Sequence, residues 1–163
     1  MNLTKNMRIF AAGLVVGGLV VGGLGAGALG TVTAQPDDGR RAVNLPGRTA
    51  ANPLFSDAIQ VGDTLYLAGR LGLDPETGAP PADAGDEARI VLDQIAAVLA
   101  EAGMTMDDLV SVQVFCSDVA LYDDFNAVYR TYFTADPPAR AFLGSGTLLR
   151  GARFEVMGIA VRG

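Results

Sequence analysis

Two eight-residue stretches, Leu109–Cys116 and Phe154–Val161, are substantially apolar along both sides of a strand, and this constrains the fold more than any other feature. Successive side chains of a strand point to opposite faces, so Val110, Val112, Val114 and Cys116 share one side while Ser111, Gln113 and Phe115 share the other. A sheet built from such strands needs cover on both faces. Helices of the same chain can cover one face, and a second copy in a closed homo-oligomer is the economical cover for the other.

The remaining pattern supplies those helices. Phe55–Val61 and Thr64–Gly69 flank the turn dipeptide Gly62-Asp63 and read as a hairpin. Asp74-Pro75-Glu76-Thr77-Gly78 is turn chemistry, with proline presetting one torsion and glycine accepting positive φ. From Asp83 to about Ala102, Ala88, Ile90, Val91, Leu92, Ile95, Val98 and Leu99 recur at three and four, the spacing of an amphipathic helix that Gly103 ends. A second helix is predicted from Tyr122 to Phe133, and Arg140–Ser145 and Phe154–Val161 are the last strands. The order β-β-α-β-α-β-β predicts an α+β domain, one sheet with both helices on one face. Residues 35–52 are polar and are expected to be a flexible lead-in, with the domain proper spanning residues 53–163.

The segment before that lead-in has the character of an export signal. Lys5 and Arg8 precede an apolar, glycine-rich run over residues 9–30, and Val32-Thr33-Ala34 offers the small residues of a cleavage site, so cleavage is expected after Ala34. The run also approaches the roughly 20 apolar residues that span a bilayer, and an uncleaved anchor is the alternative. Either way the domain is expected in the periplasm or secreted, or tethered to the inner membrane. Removing residues 1–34 takes Lys5 and Arg8 but no acid, leaving ten arginines against eighteen acids and a charge of −8. Without a basic stripe interleaved with aromatics, such a surface does not seek phosphate backbones, which excludes nucleic acid as the expected partner.

Whole mechanisms are missing from the composition. The chain has no His, one Cys and one Lys, Lys5. A Ser-His-Asp or Cys-His arrangement, a zinc-type ligand set and a Schiff-base lysine in the domain are therefore excluded. Cys116 reads as a small buried residue of a strand. What remains is Arg140, after Pro137-Pro138-Ala139, and Glu155, which interrupts the last strand. An arginine and a carboxylate on neighbouring strands form a compact acid-handling pair. The guanidinium can hold a carboxylate through two charge-assisted hydrogen bonds, and the glutamate can orient water or move a proton. A purely structural Arg–Glu pair is the plainer alternative. Asp57, Asp74, Glu76 and the Asp123-Asp124 pair read as solvated turn and helix-start residues.

Several ordered motifs from about Pro53 to Arg162 resemble the RidA/YjgF reactive-intermediate deaminases: Phe55-Ser56-Asp57-Ala58, Val61-Gly62-Asp63-Thr64-Leu65-Tyr66-Leu67-Ala68-Gly69, Asp74-Pro75-Glu76-Thr77-Gly78, Phe125-Asn126-Ala127-Val128-Tyr129, Pro138-Ala139-Arg140, and Glu155 with Ile159-Ala160-Val161. The resemblance implies a homotrimer of chorismate-mutase-like subunits with clefts between neighbours. It implies hydrolysis of 2-imino or enamine acids to 2-oxo acids and ammonium, with 2-iminobutanoate and 2-iminopropanoate as typical substrates and no cofactor or metal. Arg140 would clamp the carboxylate, Glu155 would position water, and Gly69 would let backbone approach the substrate. Asn126 and Tyr129 match a helix motif of the family and read as structural, with Asn126 also kept as a candidate substrate contact.

The chain departs from the family's commoner pattern at Phe55, Ala68, Arg70 and Phe142, where Tyr, Ser, Gln and Cys are usual. Lost hydroxyls make the pocket more apolar, and Arg70 brings a second cation to the pocket or the surface. The rival reading is a binding module, for small carboxylates or with chaperone-like character, that keeps the same cleft without turnover.

Overall fold

The computed structural model describes residues 39–47 and 54–163. Residues 1–34, expected to be a signal or anchor, lie outside them. Among the described residues no helix is long and apolar enough to cross a membrane.

Six strands form one mixed sheet: β1 (Arg40–Val43), β2 (Ala58–Val61), β3 (Thr64–Leu71), β4 (Leu109–Cys116), β5 (Ala139–Gly144) and β6 (Phe154–Val161). Their spatial order is β1-β2-β3-β6-β4-β5, antiparallel throughout except for the parallel pair β4–β5. Two helices, α1 (Ala84–Glu101) and α2 (Tyr122–Tyr129), complete the domain, and single 3₁₀ turns bracket α2 at Val119–Leu121 and Arg130–Tyr132. The α+β class and the two-helix layer are as expected.

β1 is a departure. It lies within the stretch expected to be a flexible lead-in, yet its four residues pair in register with β2, from Arg40 opposite Val61 to Val43 opposite Ala58. Only Val43 is buried, so the strand is held by backbone hydrogen bonds at a sheet edge and carries almost no hydrophobic signature.

Local chemistry explains the other elements. Gly62 takes φ 57° in the β2–β3 turn, a conformation glycine adopts without steric cost. Asp83 caps α1, its Oδ1 accepting the Asp86 amide at 2.9 Å. Val91, Leu92, Ile95, Val98 and Leu99 of α1 are buried against the sheet side that also presents Leu65, Leu67, Val112, Val114, Phe154 and Val156. Phe125 of α2 packs on Phe154, with ring centroids 4.9 Å apart.

The opposite sheet face is open. Tyr66, Leu143, Met157 and Val161 are exposed there, as the two-sided apolar strands led one to expect of an uncovered sheet.

A β-bulge interrupts β3. Leu67 faces Gly158 across to β6, but Arg70, not Ala68 or Gly69 two steps back, resumes the pairing opposite Val156. Two residues of β3 are thus accommodated against one of β6.

Candidate functional site

Strand order decides where the proposed acid-handling pair sits, and it corrects the expectation of adjacent strands. β4 lies between β5 and β6, so Arg140 and Glu155 are not on neighbouring strands. They are also on opposite faces. Arg140 is in register with buried Val112, and cross-strand partners share a face, so its side chain joins the helix side. Glu155 is in register with Phe115 and Leu71 on the open side. Neither side chain has an ion pair or hydrogen bond among the described residues, so the plain Arg–Glu strut does not form within one chain.

Arg140 lies in a cleft of about 540 Å³ floored by α2 and the turn that follows it. Its Cζ lies 4.4 Å from the Tyr129 ring centroid, with Tyr122 at 5.8 Å and Phe142 at 5.9 Å. Stacking on ring faces holds a guanidinium without using its N–H donors. Arg140 Nη1 is buried with no hydrogen-bond partner, and so is the Tyr129 hydroxyl. Burial raises the Tyr129 pKa, and the nearby Arg140 charge partly opposes that rise. Buried polar groups are nearly always satisfied, so two orphans at one cleft mark a place prepared for something else. Asn126 lines this cleft, as do Tyr122, Tyr129 and Phe133. Sequence reasoning gave Tyr129 a structural role and passed over Tyr122 and Phe133. The signal was present, because positions 122, 126, 129 and 133 recur at four, three and four, one face of a helix.

Glu155 lies across the sheet. A Cβ added at Gly69 would run into the Glu155 carboxyl, so glycine there leaves the room that the carboxylate occupies. Phe55, half exposed, lines a cleft of about 670 Å³ shared with Gly69 and Arg70, and a second of about 520 Å³ shared with Ala68 and Tyr66. Of the expected site residues, Phe55, Ala68, Gly69 and Glu155 thus belong to the β2–β3–β6 side of the molecule, and Asn126, Arg140 and Phe142 to the α2–β5 side.

Two expectations need revision. Arg70 lines the cleft of about 670 Å³, but as the partner of Asp57 rather than as a free cation or a surface charge. Its Nη1 lies 2.7 Å from Asp57 Oδ1, and its Nε is buried without a partner. Asp57, expected in a solvated turn, is 1 % exposed and also accepts the Leu45 amide at 2.9 Å. The bulge sends Arg70 to the inner side, where burial lowers its pKa. Phe142 meets Tyr122 edge-on at 5.0 Å and Phe125 at 5.7 Å, so it supports the Arg140 cleft from beneath. Cys116 is fully buried, its Sγ donating to Asp118 O, and burial pushes its pKa up, which suits an inert strand residue.

The order of motifs and the six-stranded sheet agree with a comparison to known proteins. Residues 47–162 match the family model described as Endoribonuclease L-PSP. The chain belongs to the RidA/YjgF family. A mouse protein named 2-iminobutanoate/2-iminopropanoate deaminase is 34% identical over 125 residues, covering 76% of this chain and 93% of its own. The YjgF gene product of E. coli superposes with a TM-score of 0.69 at 29% identity, covering 76% of this chain and 99% of that one. E. coli TdcF with bound serine gives a TM-score of 0.64 at 28% identity over 76% of this chain and 94% of its own.

Proposed function

We propose that this RidA/YjgF-family chain hydrolyses 2-imino or enamine acids to 2-oxo acids and ammonium, at sites formed where two copies meet in a homotrimer. The observation that carries this reading is Arg140, fixed over Tyr129 with an unsatisfied buried nitrogen, in a protein whose curated relatives include imine deaminases. The separation of Arg140 and Glu155 on opposite sheet faces is the reason for two copies. One copy contributes its α2–β5 cleft and its neighbour the Gly69–Glu155 side. Tyr66, Leu143, Met157 and Val161 on the open face supply the apolar surface for that contact.

In this scheme Arg140 binds the substrate carboxylate with the donors that ring stacking leaves available. A water oxygen adds to C2 of the protonated imine while the C=N π pair moves to nitrogen. Glu155 takes the proton released by that water. It returns that proton to the amine, then takes the hydroxyl proton as the carbon–oxygen double bond forms and the C–N pair leaves with nitrogen, and the departing ammonia collects this second proton from Glu155 to leave as ammonium. E. coli TdcF, similar in fold, carries bound serine, and an amino acid has the carboxylate that Arg140 is proposed to hold. Residues 1–34 serve in this proposal as an export signal or an anchor through residues 9–30, delivering the domain to the periplasm or beyond.

The absence of hydroxyls at Phe55 and Ala68, and of a thiol at Phe142, favours one alternative, a module that binds small carboxylates or acts as a chaperone without turnover. The experiment that separates them uses the full chain with imines generated in situ by an amino-acid oxidase. Enhanced 2-oxo acid formation that disappears in Arg140→Ala and falls in Glu155→Gln supports the deaminase. Rates equal to buffer, with calorimetric binding of 2-oxo acids intact, give the binding module.

A further inference from the structure

The Arg140 cleft carries information about the rest of the ligand. Its volume of about 540 Å³ lies within the roughly 300–1,000 Å³ of sites that enclose drug-sized molecules, far more than a methyl or ethyl side chain fills. Three rings and two prolines, Tyr122, Tyr129, Phe133, Pro137 and Pro138, are half of its lining residues. The rings are fixed to one another and to the core. Phe125 stacks on Tyr129 at 5.7 Å, Tyr129 meets Phe133 at 4.8 Å, and Tyr122 is held edge-on by Phe142. A wall held this way is preorganised, so a flat apolar group binds it without ordering it first.

The charged residues of the cleft do not compete for a second anion. Asp123 and Arg130 both line it and are of opposite sign, and Arg130 Nε is already committed to the Asn126 carbonyl at 3.0 Å. Arg140 is the one guanidinium of the cleft held by rings alone. A carboxylate on Arg140 leaves the substrate side chain to run along the α2 rings, while C2 faces the neighbouring copy's Gly69–Glu155 side.

We infer that the preferred substrates are 2-imino acids with aromatic or other bulky apolar side chains, of the kind formed by oxidising phenylalanine or leucine, rather than the small two-carbon and one-carbon homologues. This inference rests on the deaminase reading for the reaction, and on the cleft alone for the side chain.

The test compares kcat/KM of the full chain for imines generated from phenylalanine, leucine, alanine and glutamate. Because each added methylene in an apolar pocket is worth about tenfold or more, the phenyl imine is expected to exceed the methyl one by at least about tenfold. Equal or reversed preference overturns the inference, and so does faster turnover of the glutamate-derived imine, which would give the side chain to Arg130. Tyr122→Ala is expected to lower the phenyl-to-methyl ratio about fivefold. A ratio that stays put in a folded Tyr122→Ala chain removes the ring wall from the account. Calorimetry of the unmutated chain with phenylpyruvate and pyruvate reads the same preference without turnover or substitution. No hydrolysis of any imine sinks the deaminase reading alone; tighter phenylpyruvate then still supports the side-chain preference, and equal affinities overturn it.

Discussion

Two corners of this domain treat buried charge in opposite ways. At the N-terminal end of α1, Glu87 is fully buried, yet it accepts the Arg153 amide at 2.6 Å, Arg153 Nε at 2.5 Å and the Phe154 amide at 3.0 Å. Arg153 spends its remaining donors on the carbonyls of Ala82, Asp83 and Pro81. Four of the five guanidinium donors are used, and the result ties α1 to the start of β6. Across the domain, Arg140 has comparable cover but no carboxylate, only rings, and its buried Nη1 goes unanswered. The first corner is finished in the isolated chain. The second keeps a donor without a partner, and on the proposed function that difference separates strut from site more sharply than burial or charge does.

That contrast can be broken experimentally. The largest effect is expected from Glu87→Ala, which strands Arg153 and leaves two backbone amides unsatisfied. Arg153 is partly exposed, so the loss should fall at the lower end of the range for a broken buried pair, about 3 kcal/mol. Urea denaturation measures it, and a loss under about 1 kcal/mol would make the strut dispensable. Arg140→Ala should do the reverse. Loss of two charge-assisted hydrogen bonds to substrate lowers kcat/KM by about 100-fold or more, while the unfolding free energy moves by less than about 1 kcal/mol, the worth of ring stacking. A destabilisation as large as that of Glu87→Ala would show Arg140 to be structural.

Asp57–Arg70 should fall between the two corners. Asp57→Asn keeps the shape and removes the charge facing Arg70, and a loss of about 2 kcal/mol is expected. Because Asp57 also holds the Leu45 amide, hydrogen exchange over Arg40–Leu45 should quicken in the same variant. Protection unchanged there would mean that β1 is held by β2 alone.

The smallest effect is electrostatic and global. Burial raises the pKa values of Tyr129 and Tyr132, the latter also through the Tyr132 hydroxyl's bond to Asp93. A raised folded-state pKa contributes stability that is complete below the unfolded value, near pH 10 for tyrosine, and is lost as pH climbs above it. Denaturation midpoints should therefore be level up to about pH 9 and decline beyond about pH 10. Tyr132→Phe should flatten that decline.

The sequence disclosed those parts of the molecule whose physics is local. β4 and β6 have the predicted ends, because each strand's alternation is written in its own residues, and α1 differs from its predicted span only at the capping positions. What needed contacts distant in sequence was hidden. Glu87 resembles any acid in a helix's first turn, and only Arg153, 66 positions away, reveals it as buried. Asp57 resembles a turn residue until Arg70 turns inward to meet it. β1, with a single buried side chain, offers no periodicity to detect. The Arg140–Glu155 pair was legible as residue types but not as geometry, since nothing local in β5 or β6 announces that β4 runs between them.

The bulge in β3 explains why Arg70 became a strut. A strand is a two-residue clock, and the extra residue opposite β6 advances it by half a cycle, exchanging inside for outside in everything that follows. If the bulge were ironed out with both residues kept, Gly69 would stand opposite Val156 and Arg70 would slip to a place opposite Glu155. Arg70 would then point toward the open face and Asp57 would be left without its counter-charge, so a slip of one residue would undo the anchoring of an edge strand nearly thirty positions earlier.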